Sequence, residues 1–244
     1  MDPPDFPLNF SSVKALTFDV FGTVVDWRGS IIREGRQLGK TKGIKLNWQR
    51  FVDAWRAGYA PAMDQVRRGE LPWTNIDSLH RMVLERLLNE FGVSGLSDAE
   101  KDHFSRAWHR LKPWPDAVRG LKRLRKKFIL ATLSNGNIAL LTNMAKHAGL
   151  PWDCILSAEL ARHYKPDSEV YLTAANLLGL QPGEIMMVAA HKYDLLAAKS
   201  LSFRTAWVQR PLEFGKKQAF DSAPDAEFDI TATGFIDLAA QLGA

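Results

Sequence analysis

Short apolar runs alternate with amphipathic segments along most of the chain. Apolar, β-prone runs followed by turn or helix signals predict strands at residues 13–18, 129–133, 155–156, 185–189 and 205–208. Amphipathic runs between them predict helices at 117–127, 138–148, 169–178 and 195–200. A last strand at 228–230 and a last helix at 235–242 complete the pattern. Such alternation indicates an α/β fold with a doubly wound, mostly parallel sheet.

The interval from Trp27 to about Lys112 departs from this alternation. It contains no clear strand, and its apolar positions recur with helical spacing at 30–40, 48–67, 76–90 and 98–111. The segment Pro113-Trp114-Pro115-Asp116 then breaks helix and starts the next helix. We therefore predict two domains, a core of residues 1–27 and 113–244 and an inserted helical cap of residues 28–112.

Composition fits a soluble globular protein. The 244 residues are 46% hydrophobic and 24% charged, and no uninterrupted apolar run is long enough to span a membrane. The acidic, proline-rich start at Met1 is unlike a secretory signal, so we expect a cytoplasmic protein. The single cysteine, Cys154, lies in an apolar strand-like run and is expected to be buried and structural.

The formal net charge is +5, and much of the excess lies between Lys122 and Lys127. Apolar residues occupy one side of that predicted helix and the cations the other, as on a solvated helix face. No aromatic residues are interspersed with these cations, so we do not expect nucleic-acid binding. A basic balance would weakly attract a small anionic substrate.

The segment from Leu16 to Asp26 carries the clearest chemical signal. Asp19 ends an apolar run and is followed by Gly22 and Thr23. Carboxylates at the carboxyl ends of parallel strands lie where open α/β sheets bind ligands. A phosphoryl-transferring enzyme would need a second carboxylate at position 21, as a general acid and Mg²⁺ ligand, but this chain has Phe21. These residues indicate an aspartate nucleophile that works without metal.

Residues 19–24, Asp-Val-Phe-Gly-Thr-Val, resemble the first motif of the haloacid dehalogenase superfamily, and specifically of its type II 2-haloacid dehalogenase branch. Segments 133–137, 164–167 and 189–194 resemble the later motifs in the same order. The resemblance implies a Rossmann-like core with a helical cap. It also implies hydrolysis of short 2-haloalkanoic acids without a cofactor or metal.

On this resemblance Asp19 is the nucleophile, and Thr23 hydrogen-bonds it or its loop. The backbone N–H groups of Val20 and Phe21 would face the substrate carboxylate. Lys165, which precedes a proline, would lie beside Asp19 and keep it ionised.

Four further residues resemble substrate-binding positions of the family. Ser134 would hold the substrate carboxylate, and the plain alternative for it is a helix N-cap. Asn135 would help cradle the leaving halide. Arg56, in the segment Trp-Arg-Ala-Gly-Tyr, would hold the departing halide, unless it is a surface arginine. Tyr171 resembles an active-site tyrosine that hydrogen-bonds the cluster.

Asp194 resembles the last acidic motif and is the candidate for orienting the hydrolytic water. Around it the chain departs from the dehalogenase pattern, with Ala189, His191 and Tyr193 in place of serine, asparagine and tryptophan. His191 is a candidate second donor, proton shuttle or pocket-narrowing residue, with a structural histidine as the alternative. Tyr193 is expected to line the pocket.

The predicted function is metal-independent hydrolytic dehalogenation of haloacetates and 2-halopropionates to 2-hydroxy acids. A pocket tightened by His191 and Tyr193 would extend the activity to fluoroacetate. One alternative is a Mg²⁺-dependent small-molecule phosphatase on the same fold, and another is a non-catalytic carboxylate-binding or scaffold protein. The expected partners are a small halocarboxylate and halide, with no membrane or nucleic acid, and the resemblance allows a homodimer.

Overall fold

The computed structural model describes residues 10–215 and 226–244. Its strands are β1 (Ala15–Phe18), β2 (Val25–Asp26), β3 (Lys112–Pro113), β4 (Ile129–Ser134), β5 (Cys154–Ser157), β6 (Ile185–Ala189), β7 (Arg204–Val208) and β8 (Ile230–Ala232). Six of them form one parallel sheet in the order β5-β4-β1-β6-β7-β8, which confirms the predicted fold class. Every residue of the central strand β1 is buried, because helices cover both faces of the sheet.

A mainly helical insertion separates β2 from β3. It contains α1 (Trp27–Lys42), α2 (Trp48–Ala57), α3 (Tyr59–Arg67), α4 (Ile76–Glu90), α5 (Asp98–Ser105) and a 3-10 helix (Arg106–Arg110). It leaves and rejoins the core through an antiparallel ribbon in which Val25 pairs with Pro113 and Asp26 with Lys112. The insertion has an aromatic interior, where Trp55 contacts Phe51, Phe104 and Trp108. The division into two domains stays a prediction.

The core helices are α6 (Ala117–Leu124), α7 (Ile138–Ala148), α8 (Ala158–Ala161), α9 (Ser168–Leu178), α10 (Lys192–Ser200) and α11 (Phe235–Gln241). Amphipathic spacing predicted each of them except the four-residue α8. α6 packs against α11, and Phe18 of β1 contacts the Phe235 ring edge-on at a centroid distance of 5.6 Å. These contacts hold the last helix against the central strand.

Three expectations about local structure need correction. The single helix predicted at 48–67 is two helices that meet at Gly58, where an added Cβ would lie 2.5 Å from Cγ1 of Val83 in α4. The helix predicted at 98–111 ends at Ser105 and continues as a 3-10 turn. Cys154 is half-buried rather than buried, and its burial, followed by the Asp153 charge, raises the pKa of the thiol.

Across residues 10–215 and 226–244, every helix is too short or too polar to cross a membrane. The start of the chain, on which the cytoplasmic expectation depends, lies outside the described residues.

Candidate active site

The candidate site lies at the carboxyl edge of the three central strands. β1 is paired with β4 on one side and with β6 on the other, so the chain reverses its direction of sheet growth at β1. Asp19 directly follows β1, Ser134 ends β4 and Ala189 ends β6. In doubly wound sheets the crevice at such a reversal is the usual ligand site.

Asp19 is almost completely buried and its two oxygens have different surroundings. Oδ2 accepts a hydrogen bond from Thr23 Oγ1 at 2.7 Å and lies 3.0 Å from His191 Nδ1. Oδ1 lies 3.5 Å from Lys165 Nζ. Burial by itself would raise the pKa of Asp19, but Lys165, His191 and Thr23 outweigh it and hold that pKa well below its usual range. The carboxylate is therefore ionised and oriented.

Lys165 joins the two predicted acidic residues. Its Nζ donates to Asp194 Oδ2 at 2.5 Å and to the Leu133 carbonyl at 2.7 Å, and the side chain is buried. Tyr171, also buried, donates its hydroxyl to Asp194 Oδ1 at 2.5 Å. Burial raises the pKa of Asp194, and the Lys165 charge opposes that rise. Tyr171 lies in the predicted cluster, and its contact with substrate stays a prediction.

The loop after β4 presents an unpaired hydroxyl and a fixed amide. Ser134 Oγ is fully buried and has no hydrogen-bond partner in the described part of the chain. Asn135 Oδ1 accepts from the Lys165 backbone N–H at 2.8 Å, so its Nδ2 points to α3 and reaches Met63 Sδ at 3.4 Å. The N-cap of α7 is Asn137, so Ser134 is not a helix cap. Ser134 and Asn135 thus offer donors at the site edge.

The helical insertion contributes a cation and an aromatic wall. The Arg56 guanidinium lies 4.5 Å from the centre of the Tyr59 ring and 5.7 Å from that of Trp27. Burial raises the pKa of the Tyr59 hydroxyl; Arg56 opposes that rise and Asp19 adds to it. Phe21 is buried with its edge against Trp108 at 5.8 Å. Arg56 and Asp19 therefore both act on Tyr59, and the role of Arg56 in holding halide stays a prediction.

Backbone and loop positions complete the set of sequence candidates. Val20 is buried, and its carbonyl accepts from the N–H groups of Val24 and Val25. The Thr23 hydroxyl accepts from the Ala190 N–H at 2.9 Å, which ties the β1 loop to the β6 loop. That the Val20 and Phe21 N–H groups face substrate stays a prediction.

Sequence reasoning did not find Glu213, a buried carboxylate in the segment after β7. His191 Nε2 lies 3.1 and 3.2 Å from its two oxygens, and Trp27 Nε1 donates to Oε1 at 3.1 Å. Burial would lower the pKa of His191, but Asp19 and Glu213 raise it to about 10. The only sequence signal for Glu213 is its place beyond the carboxyl end of a parallel strand.

Tyr193 lies beside His191, and burial together with the Asp19 and Asp194 charges raises the pKa of its hydroxyl. Its ring stacks on the imidazole with a centroid distance of 5.7 Å, and 56% of its surface is exposed. The role of Tyr193 in lining a pocket stays a prediction.

Residues 13–201 match the family model of haloacid dehalogenase-like hydrolases. The chain belongs to the haloacid dehalogenase superfamily. Among solved superfamily structures, an L-2-haloacid dehalogenase is 48% identical, with a TM-score of 0.91 over 95% of this chain and 99% of that one. A defluorinating L-2-haloacid dehalogenase is 44% identical, with a TM-score of 0.93 over 98% of this chain and all of that one.

A curated relative within the superfamily is (S)-2-haloacid dehalogenase 4A of Burkholderia cepacia. It is 27% identical over 224 residues, which cover 87% of this chain and 89% of the relative. These likenesses confirm the resemblance to the type II 2-haloacid dehalogenase branch, which the motif around Asp19 indicated.

Proposed function

We propose that this chain hydrolyses short 2-haloalkanoic acids, such as haloacetates and 2-halopropionates, to 2-hydroxy acids through a covalent ester on Asp19. The observation that carries the proposal is the buried pair of carboxylates, Asp19 and Asp194, with the Lys165 ammonium between them. The related proteins described above are haloacid dehalogenases, which supports the same substrate class. Residues 28–112 would act as the cap over this site.

In the first step Asp19 Oδ1 attacks C2 of the substrate from the side opposite the halogen. The Oδ1–C2 bond forms while the carbon–halogen bond breaks, and halide leaves with the bonding electron pair, so C2 is inverted. Arg56 and the Asn135 amide stabilise the departing anion. Ser134 holds the substrate carboxylate, a role supported by its buried and unpartnered hydroxyl.

In the second step water, oriented by Asp194, attacks Cγ of the Asp19 ester. Asp194 accepts a proton from this water, and the Oδ1–C2 product oxygen leaves and is protonated. Because the bond breaks at the protein carboxyl, one solvent oxygen is incorporated into Asp19 at each turnover. Lys165 and Tyr171 hold Asp194 in place for this role.

The charges around Asp19 argue against the Mg²⁺-dependent phosphatase alternative. A magnesium site needs several oxygen ligands in an octahedral arrangement, and Phe21 supplies none. Two cationic groups, Lys165 and His191, already lie against the Asp19 carboxylate and would repel a divalent cation. The residues present therefore do not fit the metal.

Fluoroacetate is a further proposed substrate. Fluoride is a poor leaving group that needs close, strong donors, and we expect His191, which lies 3.0 Å from Asp19, and Tyr193 to tighten the pocket. A related defluorinating dehalogenase supports this extension. Chloride release from chloroacetate with no fluoride release from fluoroacetate would remove fluoroacetate from the proposal and leave the rest intact.

The first test is halide release from chloroacetate and fluoroacetate by the purified protein in EDTA. Release under these conditions supports metal-free dehalogenation. Absence of release, together with phosphate-ester cleavage once Mg²⁺ is added, would overturn the proposal in favour of the phosphatase. Absence of both activities would favour the non-catalytic alternative.

The covalent route has its own test, a single turnover in ¹⁸O-labelled water. We expect the label in Asp19 and not in the first product molecule, as read by mass spectrometry of both. Label that enters product directly would contradict an ester intermediate. Asp19→Asn should abolish turnover in a preparation shown by mass spectrometry to be free of deamidation.

A further inference from the structure

The imidazole of His191 bridges the nucleophile to a carboxylate from a distant part of the chain. Nδ1 lies 3.0 Å from Asp19 Oδ2, and Nε2 lies 3.1 and 3.2 Å from the two oxygens of Glu213. An ionised carboxylate only accepts hydrogen bonds. Both ring nitrogens must therefore carry hydrogens, which describes an imidazolium with two charge-assisted hydrogen bonds.

The fold makes room for Glu213 at this position. Its side chain is 5% exposed, and Trp27 Nε1 at the start of α1 donates to Oε1. Gly22, with a positive φ of 84°, passes so close that an added Cβ would lie 2.2 Å from Oε1. A carboxylate buried this deeply needs an opposite charge, and His191 provides it.

The two oxygens of Asp19 are prepared for different roles. Within the described residues Oδ1 has one long contact, at 3.5 Å from Lys165 Nζ, whereas Oδ2 receives hydrogen bonds from Thr23 at 2.7 Å and from His191 at 3.0 Å. Once Oδ1 has bonded to substrate, Oδ2 is the ester carbonyl oxygen, and attack by water turns it into an oxyanion. Donors at 2.7–3.1 Å from such an oxygen are those that stabilise a tetrahedral intermediate.

We infer that His191 and Thr23 form an oxyanion hole over Asp19 Oδ2 for hydrolysis of the aspartyl ester, and that Glu213 is the positioning residue that keeps His191 in its imidazolium form. This inference rests on the proposed function and assigns the second step to named donors. When water attacks Cγ, the carbonyl electron pair moves to Oδ2 and a proton passes to Asp194. Collapse restores the carbonyl and expels the product oxygen, which takes that proton, and the remaining hydroxyl proton leaves to solvent.

Several charged groups in the described part of the chain surround His191. Asp19 and Glu213 face its two nitrogens directly, and the Tyr193 ring lies against its face. Lys165 and Asp194 lie behind Asp19. The two carboxylates in direct contact favour the charged ring, and their effect outweighs desolvation.

The decisive variant is Glu213→Gln, which keeps a hydrogen-bond acceptor for Nε2 and removes the negative charge. Asp19 and Glu213 raise the pKa of His191 to about 10 in the free enzyme, and esterification of Asp19 removes one of these two charges. The kcat of the parent protein should therefore fall as the pH rises through a pKa below that value. In the variant this alkaline limb should move down by about one to two pH units. At pH values above the shifted limb the ester should accumulate in the variant. Mass spectrometry of a quenched reaction with chloroacetate should then detect the enzyme carboxymethylated at Asp19.

Glu184→Gln is the matched control, because Glu184 is another ion-paired carboxylate but lies outside the site, ahead of the amino end of β6. It should leave the pH profile unchanged. His191→Asn should keep the rapid first release of halide and slow the second step by about 100-fold or more. An unchanged alkaline limb in Glu213→Gln, or slowed halide release in His191→Asn without ester accumulation, would overturn the inference.

A measurement on the unaltered protein protects the test against variants that do not fold. In protein with ¹⁵N-labelled histidine, the ring nitrogen shifts of His191 should report the imidazolium form at pH 8. A neutral ring at that pH would refute the inference. Failure of this inference is distinguishable from failure of the proposed function. If the proposed function were wrong, the parent protein would form no ester and release no halide.

Discussion

Replacing Lys165 by Met tests the central electrostatic arrangement of the site. Lys165 Nζ lies 2.5 Å from Asp194 Oδ2, with side chains that are 3% and 1% exposed. The exposed pair Lys14–Glu184 has the same 2.5 Å separation, with side chains 58% and 27% exposed. The two pairs have the same separation but differ in burial and in the additional contacts of Lys165 with Asp19 and the Leu133 carbonyl, so Lys14→Met is the exposed-pair control.

Removing one partner of a buried pair leaves an uncompensated buried charge, so Lys165→Met should lower the free energy of unfolding by about 3–5 kcal/mol at pH 7. In a protein of this length that corresponds to a fall in Tm of roughly 10 °C. Lys14→Met should cost about 0–1 kcal/mol, since solvent screens the exposed pair. The assay is thermal and denaturant unfolding of both variants.

The stability lost in Lys165→Met should depend on pH in a definite direction. The folded-state pKa of Asp19 is lowered, so this carboxylate contributes stability that is present above its unfolded pKa and is lost as the pH falls through its folded pKa. Without Lys165 the pKa of both Asp19 and Asp194 should rise, so protonation can relieve the repulsion. The penalty should therefore be smaller at pH 5 than at pH 7. Equal losses for the Lys165 and Lys14 variants, or a penalty that grows on acidification, would refute the reasoning.

Two further predictions concern the cap and the β1 loop. Arg56→Lys should lower kcat for chloroacetate by about 10²-fold, because the developing halide loses a fixed planar donor. Arg50→Lys on the same helix should leave kcat unchanged, and steady-state kinetics of the two variants make the comparison. Gly22→Ala should lower the free energy of unfolding by more than about 2 kcal/mol and displace Glu213. Gly69 has a similar φ but open space around it, so Gly69→Ala should lower that free energy by about 1 kcal/mol, as measured by denaturant unfolding. Equal costs at the two glycines would contradict the close packing of Glu213.

The spacing of apolar residues predicted the long helices but not the features that depend on contacts between distant segments. The helices at 76–90 and 138–148 have the predicted bounds, because long amphipathic spacing identifies both ends. The break at Gly58 was missed because it is caused by the close approach of Val83 from another helix. The ribbon of β2 and β3 was missed because two-residue strands carry no periodicity.

The candidate site divides in the same way. Asp19, Lys165 and Asp194 could be predicted as neighbours because their motifs resemble those of the family in the same order, and the structure places Lys165 against both carboxylates. Glu213 is 186 residues from Trp27 and 22 from His191, its hydrogen-bond partners, so no local spacing relates them. The stacking of Tyr193 on His191 depends on the start of α10, which a residue pattern does not specify.

The ribbon at the root of the helical insertion has a consequence for how such proteins diversify. Val25 and Pro113 are paired residues of adjacent strands, so the two ends of the insertion lie about 5 Å apart. A segment whose ends already touch can be lengthened, shortened or exchanged for another without altering the path of the flanking chain. Selection on substrate shape can therefore act on the insertion through recombination at this one junction, while the loop that carries Asp19 is inherited intact.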